Sequence, residues 1–263
     1  PPSEVIHQAR VAARRLRSDL LTLRPVLDHL WIDHTRAELA WLGTVLGAVR
    51  DVDVLAGNLD LGDTARPDDD AGRSELDGRL GRQREAALTE VACALDDERY
   101  IDLLDRIHGA STLPPFSAAG GRHGPAARAA DVLPSLVRRQ WWKVRRRVHR
   151  AGRHPSDRQL HRIRIGAKQL RYAAEMATPV VGPPARRTAR AAERLQDLLG
   201  RHHDAVTADA WLRGEARRAT PAGSFTAGLL SGVQRRRQRR YRRRWSGAWA
   251  RLGDRKRHRW LRS

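Results

Sequence analysis

Two stretches decide the fold: His7-Gln8-Ala9-Arg10-Val11-Ala12-Ala13-Arg14-Arg15-Leu16-Arg17 and His161-Arg162-Ile163-Arg164-Ile165-Gly166-Ala167-Lys168-Gln169-Leu170-Arg171. Aligned without a gap, they share His-x-x-Arg-(Val/Ile)-x-x-(Arg/Lys)-x-Leu-Arg. Neither contains Pro and both are rich in Ala, Leu and Arg, so each reads as helix. At about 100° per residue, His7, Arg10, Arg14 and Arg17 fall within an arc of roughly 80°. Ala9, Ala12, Ala13, Leu16, Leu20, Leu23 and Leu27 are assigned to the opposite, core-facing side. The second copy divides likewise, with His161, Arg164, Lys168 and Arg171 opposite Ile163, Gly166, Ala167, Leu170, Ala174 and Ala177. Each helix thus pairs an apolar stripe with a basic stripe about 15 Å long. The basic stripes are expected to lack the i,i+4 acid partners that lace an ordinary solvated face. Two such stripes in one chain suit one extended anionic ligand.

A second pair of stretches follows in the same order. Leu42, Val45, Leu46, Gly47 and Asp51 match Leu195, Leu198, Leu199, Gly200 and Asp204 at an offset of 153 residues, against 154 for the His motif. Two motifs repeated in order at nearly equal spacing indicate an internal duplication. Around them Pro1 to Glu4 lead into a first helix, with Ser3 as N-cap, that runs to about Leu23, and the pattern predicts further helices over 33–59, 73–95 and 97–108. Pro25 ends the first of these. Residues 60–72, with Gly62, Pro67, Asp68, Asp69 and Asp70, read as an acidic loop. Residues 109–130, dominated by Gly, Ala, Pro and Ser, read as an exposed, mobile linker between a first half (1–108) and a second (131–263). The second half predicts helices over 131–151, from Ser156 to the prolines Pro179, Pro183 and Pro184, across the Leu195 to Val206 motif, and over 225–252. No alternating pattern of a strand appears, so the fold class is all-α.

The chain has 263 residues, 40% of them hydrophobic, which suffices for a real core. Its formal net charge of +21 opposes compaction and points to a polyanionic partner: nucleic acid, polyphosphate or an anionic surface. Lys occurs only at Lys143, Lys168 and Lys256; the rest of the positive charge is Arg, whose planar fork grips phosphate oxygens in pairs. An Arg-rich composition accounts for the ratio equally well, so only the placement of the arginines carries weight. The single Cys93 lies in an apolar run and reads as a small buried hydrophobe, leaving no disulfide or Cys-based zinc site. With no signal peptide or long apolar span, the expectation is a soluble cytoplasmic protein without a membrane partner. The opening Pro1-Pro2, with no initiator Met, suggests an excised domain or a processed chain.

Catalytic signatures are missing: no Walker loop, dinucleotide turn, nucleophile elbow or His-Glu-x-x-His. Arg50-Asp51-Val52-Asp53 and His202-His203-Asp204 place His and Asp together, but the surrounding arginines would repel a metal cation, so neither metal nor cofactor is expected. Asp51 and Asp204 are read as acceptors that hold an adjacent His or Arg in place. Trp141, Trp142, Trp245 and Trp249 sit in amphipathic helices and read as packing residues rather than base-stacking platforms.

The doubled motif, each copy followed by Leu-Gly-x-x-x-Asp, resembles the conserved histidine α-helical domain, or CHAD, family over essentially the whole chain. The resemblance implies two pseudo-symmetric helical bundles around a basic cavity that binds inorganic polyphosphate without catalysing a reaction. It places the binding residues at His7, Arg10, Arg14, Arg17, His161, Arg164, Lys168 and Arg171, and the motif acid at Asp51 and Asp204. Arg15, Arg50, His203, Arg235 and Arg239 are further candidates for binding or support. Lys168 stands where the first half has Arg14, keeping charge and losing the fork, and Gln169 stands opposite Arg15. Some members of the family are joined to a triphosphate-tunnel enzyme domain of the CYTH type, and some associate with polyphosphate granules. The alternating Glu signature of that enzyme domain is absent, so the chain reads as the binding domain alone. A nucleic-acid backbone binder and a metal-dependent phosphohydrolase are the alternatives.

Overall fold

The structure, a computed structural model, describes residues 3–59, 70–117 and 127–261. These residues form eight α-helices, a C-terminal 3-10 helix and no strand. The helices are α1 (Ser3–Leu23), α2 (His29–Asn58), α3 (Asp70–Leu95), α4 (Glu98–Thr112), α5 (Ala129–Ala151), α6 (Asp157–Val181), α7 (Pro183–Ala216) and α8 (Pro221–Gly253). None is long and apolar enough to cross a membrane.

Helix ends follow local chemistry. Asp28 caps α2 by accepting the Trp31 N–H at 2.8 Å, so the helix starts at His29 rather than Asp33. Ser156 opens α6 with a capping box completed by Gln159. Pro179 does not end α6; it lies inside the last turn, and the helix stops at Gly182, whose φ of +76° suits a residue without Cβ. Pro183 then begins α7, where a missing N–H costs nothing. The Ser3 side chain lies outside the described residues.

The described ends of two expected loops are helical. Residues 70–72 belong to the first turn of α3, and 60–69 lie outside the described residues. Residues 109–112 complete α4, after which the chain returns to the α1–α2 turn. There Leu27 and Phe116 form an isolated antiparallel bridge, with Asp28 N–H donating to Pro115 O at 2.8 Å and Ser117 N–H to Val26 O at 3.0 Å. Residues 118–126 lie outside the described residues.

Three apolar clusters hold the helices. One joins α1 to α4 through Ile6, Leu20, Ile32, Leu39, Leu46, Val91 and Leu103. A second joins α5 to α8 through Val144, Leu160, Ile163, Leu170, Leu195 and Trp245. The third draws Leu55 and Leu59 of α2 and Leu76 and Leu80 of α3 against Leu212 of α7 and Leu230 of α8. At the α3–α8 crossing a Cβ on Gly72 would come within 2.5 Å of the Ala222 carbonyl oxygen, so only glycine permits that approach.

Several core assignments change. Ala9 and Ala12 are exposed; α1 instead buries Ile6, Ala13, Ser18, Leu20 and Thr22. Cys93 is exposed, because Val91 and Ala94 take the inward positions on that turn of α3. Trp141 and Trp245 are buried, but Trp142 is 48% exposed with the Arg145 guanidinium 4.8 Å above its ring.

Candidate functional site

Helix α1 packs on α6, and α2 packs on α7. The two helices with the His motif therefore meet each other, as do the two with the Asp motif. Between them lies a cleft of about 600 Å³, lined by His7, Arg10, Arg14, Arg50 and Asp51 from one side and His161, Arg164, Arg201, His203 and Asp204 from the other.

Equivalent residues are seated alike. Arg10 lies against Gly47, its Nε 3.6 Å from where a Cβ would be, and Arg164 lies against Gly200 at 3.5 Å. A longer side chain at either glycine would take the guanidinium's place. The carboxylates differ. Asp51 accepts from Arg10 Nη2 at 2.9 Å, as expected of a positioning acid. Asp204 makes no ion pair among the described residues, and burial raises its pKa, against the opposing field of Arg164.

The histidines form a compact group. The His161 and His203 rings stack at a tilt, their centroids 4.2 Å apart. Burial, then the charges of Arg164 and Lys168, lower the His161 pKa. Burial, then His161 and Arg164, bring His203 down to about 4. Both rings are accordingly neutral at neutral pH.

Four buried nitrogens at the stripes have no hydrogen-bond partner among the described residues: His7 Nδ1, Arg14 Nε, His161 Nδ1 and Arg164 Nε. An unsatisfied buried polar atom costs about 1–3 kcal/mol. Lys168 lies at the junction of the stripes, where burial and the charges of Arg14, Arg164, Arg17 and Arg10 push its pKa down to about 7.

Not every predicted residue joins the cleft. Arg171 is bound to Glu175 at 2.7 Å and Glu193 at 3.0 Å, so the second stripe does carry an i,i+4 acid partner, contrary to expectation. Arg15 pairs with Glu175 at 3.2 Å and Asp19 at 3.8 Å. This acidic clasp closes the cationic row; within it burial, then Glu175, raises Asp19 to about 6 against the pull of Arg15. Arg17 lies beside the Lys168 junction without lining the cleft, and its carbonyl accepts from Arg36 Nε at 3.3 Å. Arg235 sits 3.5 Å from Asp209, which also engages Ser231 and Arg213, and neither Arg235 nor Arg239 lines the cleft. Their charge on α8 was the whole basis for including them, and the helix phase turns them away. The sequence reading missed Arg201, Gln196 and Thr207. Arg201 follows the matched glycine directly, but its counterpart is Ala48, so looking for repeated residues passes over it. Among the described residues, no three His, Cys, Asp or Glu side chains gather to hold a metal ion.

Comparison with known proteins places this geometry. PptA from Streptomyces chartreusis has a similar structure, with a TM-score of 0.76 and 25% identity, covering 95% of this chain and 90% of that one. The CHAD domain from the plant Ricinus communis matches at a TM-score of 0.70 and 27% identity, over 96% of this chain and 82% of that one. Two uncharacterised proteins of Mycobacterium tuberculosis, MT2285 and Rv2226, are each 30% identical over 236 residues, covering 86% of this chain and 44% of theirs. The chain thus spans less than half the length of these relatives. An error-prone DNA polymerase of Aromatoleum aromaticum is 34% identical over 134 residues, 47% of this chain and 11% of the polymerase. Residues 1–213 match the CHAD domain itself, and the chain belongs to the CHAD domain family.

Proposed function

We propose that the cleft between α1, α2, α6 and α7 binds inorganic polyphosphate, and that the chain is a duplicated, non-catalytic binding module. The observation that carries this reading is the set of unpartnered buried nitrogens on both stripes, beside a Lys168 held down to about 7 by burial and then by its cationic neighbours. A chain of phosphates supplies evenly spaced negative oxygens along a path that both stripes border. Arg10, Arg14 and Arg164 act as forked donors, while His7 and His161 offer ring nitrogens to adjacent oxygens. Asp51 holds the Arg10 fork in place. Lys168 supplies charge from beneath, and Arg50, Arg201 and His203 complete the wall. Released counterions provide much of the driving force, as they do for nucleic-acid backbones. The halves 1–108 and 131–263 are the two units of the duplication, with the cleft as the basic cavity between them. In the cell, the module would hold its parent protein on polyphosphate granules in the cytoplasm, or bring substrate to a CYTH-type enzyme domain.

One observation favours a second reading: the exposed Trp142 beneath Arg145 is the kind of surface on which a base stacks. Competition separates the two. Labelled long-chain polyphosphate is displaced by unlabelled polyphosphate, duplex DNA or single-stranded DNA at physiological salt. Polyphosphate should compete at a far lower concentration of phosphate units; equal competition by DNA would make this a backbone-charge binder.

A further inference from the structure

Helix α7 forms a ridge with different chemistry on its two flanks. Gln196, Gly200, His203 and Thr207 turn toward the cleft. Arg194 and Leu198 turn the other way, into a separate groove of about 710 Å³ against α8. Across that groove α8 presents Arg243, Arg244 and Arg251 over a floor of Ser246, Gly247 and Ala248. Gly247 has open space where its Cβ would be, so the floor leaves its backbone and the Ser246 hydroxyl approachable.

Arg201 and Asp197 stand on the crest and line both cavities. The cleft and the groove are therefore neighbours joined over a single row of side chains. Arg194 and Arg201 flank Asp197 at i−3 and i+4, along about 10 Å of helix. All five groove arginines are exposed, and none makes an ion pair with a described residue. Asp197 is the lone carboxylate of the lining. Arginines scattered for solubility alternate with acids; here five of them surround one concavity, whose walls concentrate their field.

We propose that the α7–α8 groove is a second phosphate-binding surface, which receives the part of a long polyphosphate chain that leaves the cleft over Arg201. It rests on the polyphosphate reading of the cleft and adds to it a basis for preferring long chains. A short polyphosphate occupies the cleft alone. A long one gains further Arg contacts and releases further counterions without any change in the cleft.

The test compares tripolyphosphate with long-chain polyphosphate on three proteins: the unaltered chain, Arg243→Ala/Arg244→Ala, and Arg82→Ala/Arg146→Ala. The last pair removes the same charge from exposed helix positions outside both cavities. For the long chain, the groove variant should lose roughly tenfold or more in affinity, and its log–log salt slope should fall by about two. Its tripolyphosphate affinity, and both affinities of the control, should match the unaltered chain. Equal behaviour of the two variants toward the long chain overturns the groove assignment while leaving the cleft reading intact. Loss of tripolyphosphate binding in the groove variant overturns the division of labour between the cavities. Failure of the unaltered chain to bind either ligand sinks the polyphosphate reading, and this inference with it.

Discussion

Lys168 gives the account a measurable pH signature. Burial comes first, then the charges of Arg14, Arg164, Arg17 and Arg10, and together they lower its pKa from the ordinary 10.5 to about 7. The free protein therefore carries a half-protonated Lys168 near neutral pH. A bound polyanion cancels the cationic field and favours the ammonium form, so binding above pH 7 takes up a proton. The affinity is greatest below pH 7 and falls as pH rises through it, by at most about tenfold per pH unit for one linked proton. His203, held down to about 4, stays neutral across this window and does not produce the effect. Lys168→Arg keeps its charge, so its affinity should stay level from pH 7 to 9 and exceed that of the unaltered chain at pH 9. Lys168→Met should show the weak, flat behaviour of the deprotonated form throughout. Titration calorimetry at pH 7.5 in buffers of different ionisation enthalpy reads the proton uptake directly. No uptake by the unaltered chain, with a pH profile that Lys168→Arg reproduces, would refute the reasoning. Stability has the opposite sign. The folded state binds fewer protons than the unfolded one between about pH 7 and 10.5, so the Lys168 penalty is fully present below 7 and fades as pH rises through that window.

Two further outcomes are expected. Gly72→Ala would press a Cβ to within 2.3 Å of Thr226 Oγ1 and 2.5 Å of the Ala222 carbonyl oxygen, forcing α3 and α8 apart. It should cost about 1–3 kcal/mol, read as a lower denaturant midpoint, and an unchanged midpoint would show that this crossing is not tightly packed. Polyphosphate incubated with the protein and magnesium or manganese should keep its chain length on a gel. Shortening that co-purifies with the protein would reassign it as a phosphohydrolase.

The sequence made the helices legible wherever a single physical rule governed them. In α6, Ile163, Gly166, Ala167, Leu170, Ala174 and Ala177 are all buried as the periodicity required, because α5 and α7 cover that face. In α1 the same arithmetic failed for Ala9 and Ala12. Alanine is compatible with either environment, and the neighbours of α1 cover a narrower arc centred on Ile6, Ala13 and Leu20. Pro179 misled because the helix continues through it to Val181 and stops only at Gly182. The meeting of the stripes was legible from their repetition, as His7, Arg10, Arg14, His161 and Arg164 line one cleft. What was not legible was the competition for arginines. Arg171 and Arg15 converge on Glu175, a tertiary arrangement that joins α1 to α6, and Arg235 turns to Asp209. Arg201 was hidden because its counterpart in the first half is Ala48, so no basic residue repeats there.

Charge reversal on each stripe tests the central claim most directly. Binding of long-chain polyphosphate is measured for Arg10→Glu, Arg164→Glu and the exposed control Arg82→Glu at one salt concentration, with helical content checked by circular dichroism. Each stripe variant loses a charge-assisted contact worth about 1.5–3 kcal/mol and adds repulsion, so each should bind at least about tenfold more weakly. The control should bind as the unaltered chain does. Equal losses in all three, with helicity unchanged, would mean that net charge alone governs binding, and would contradict a shared site between the two stripes.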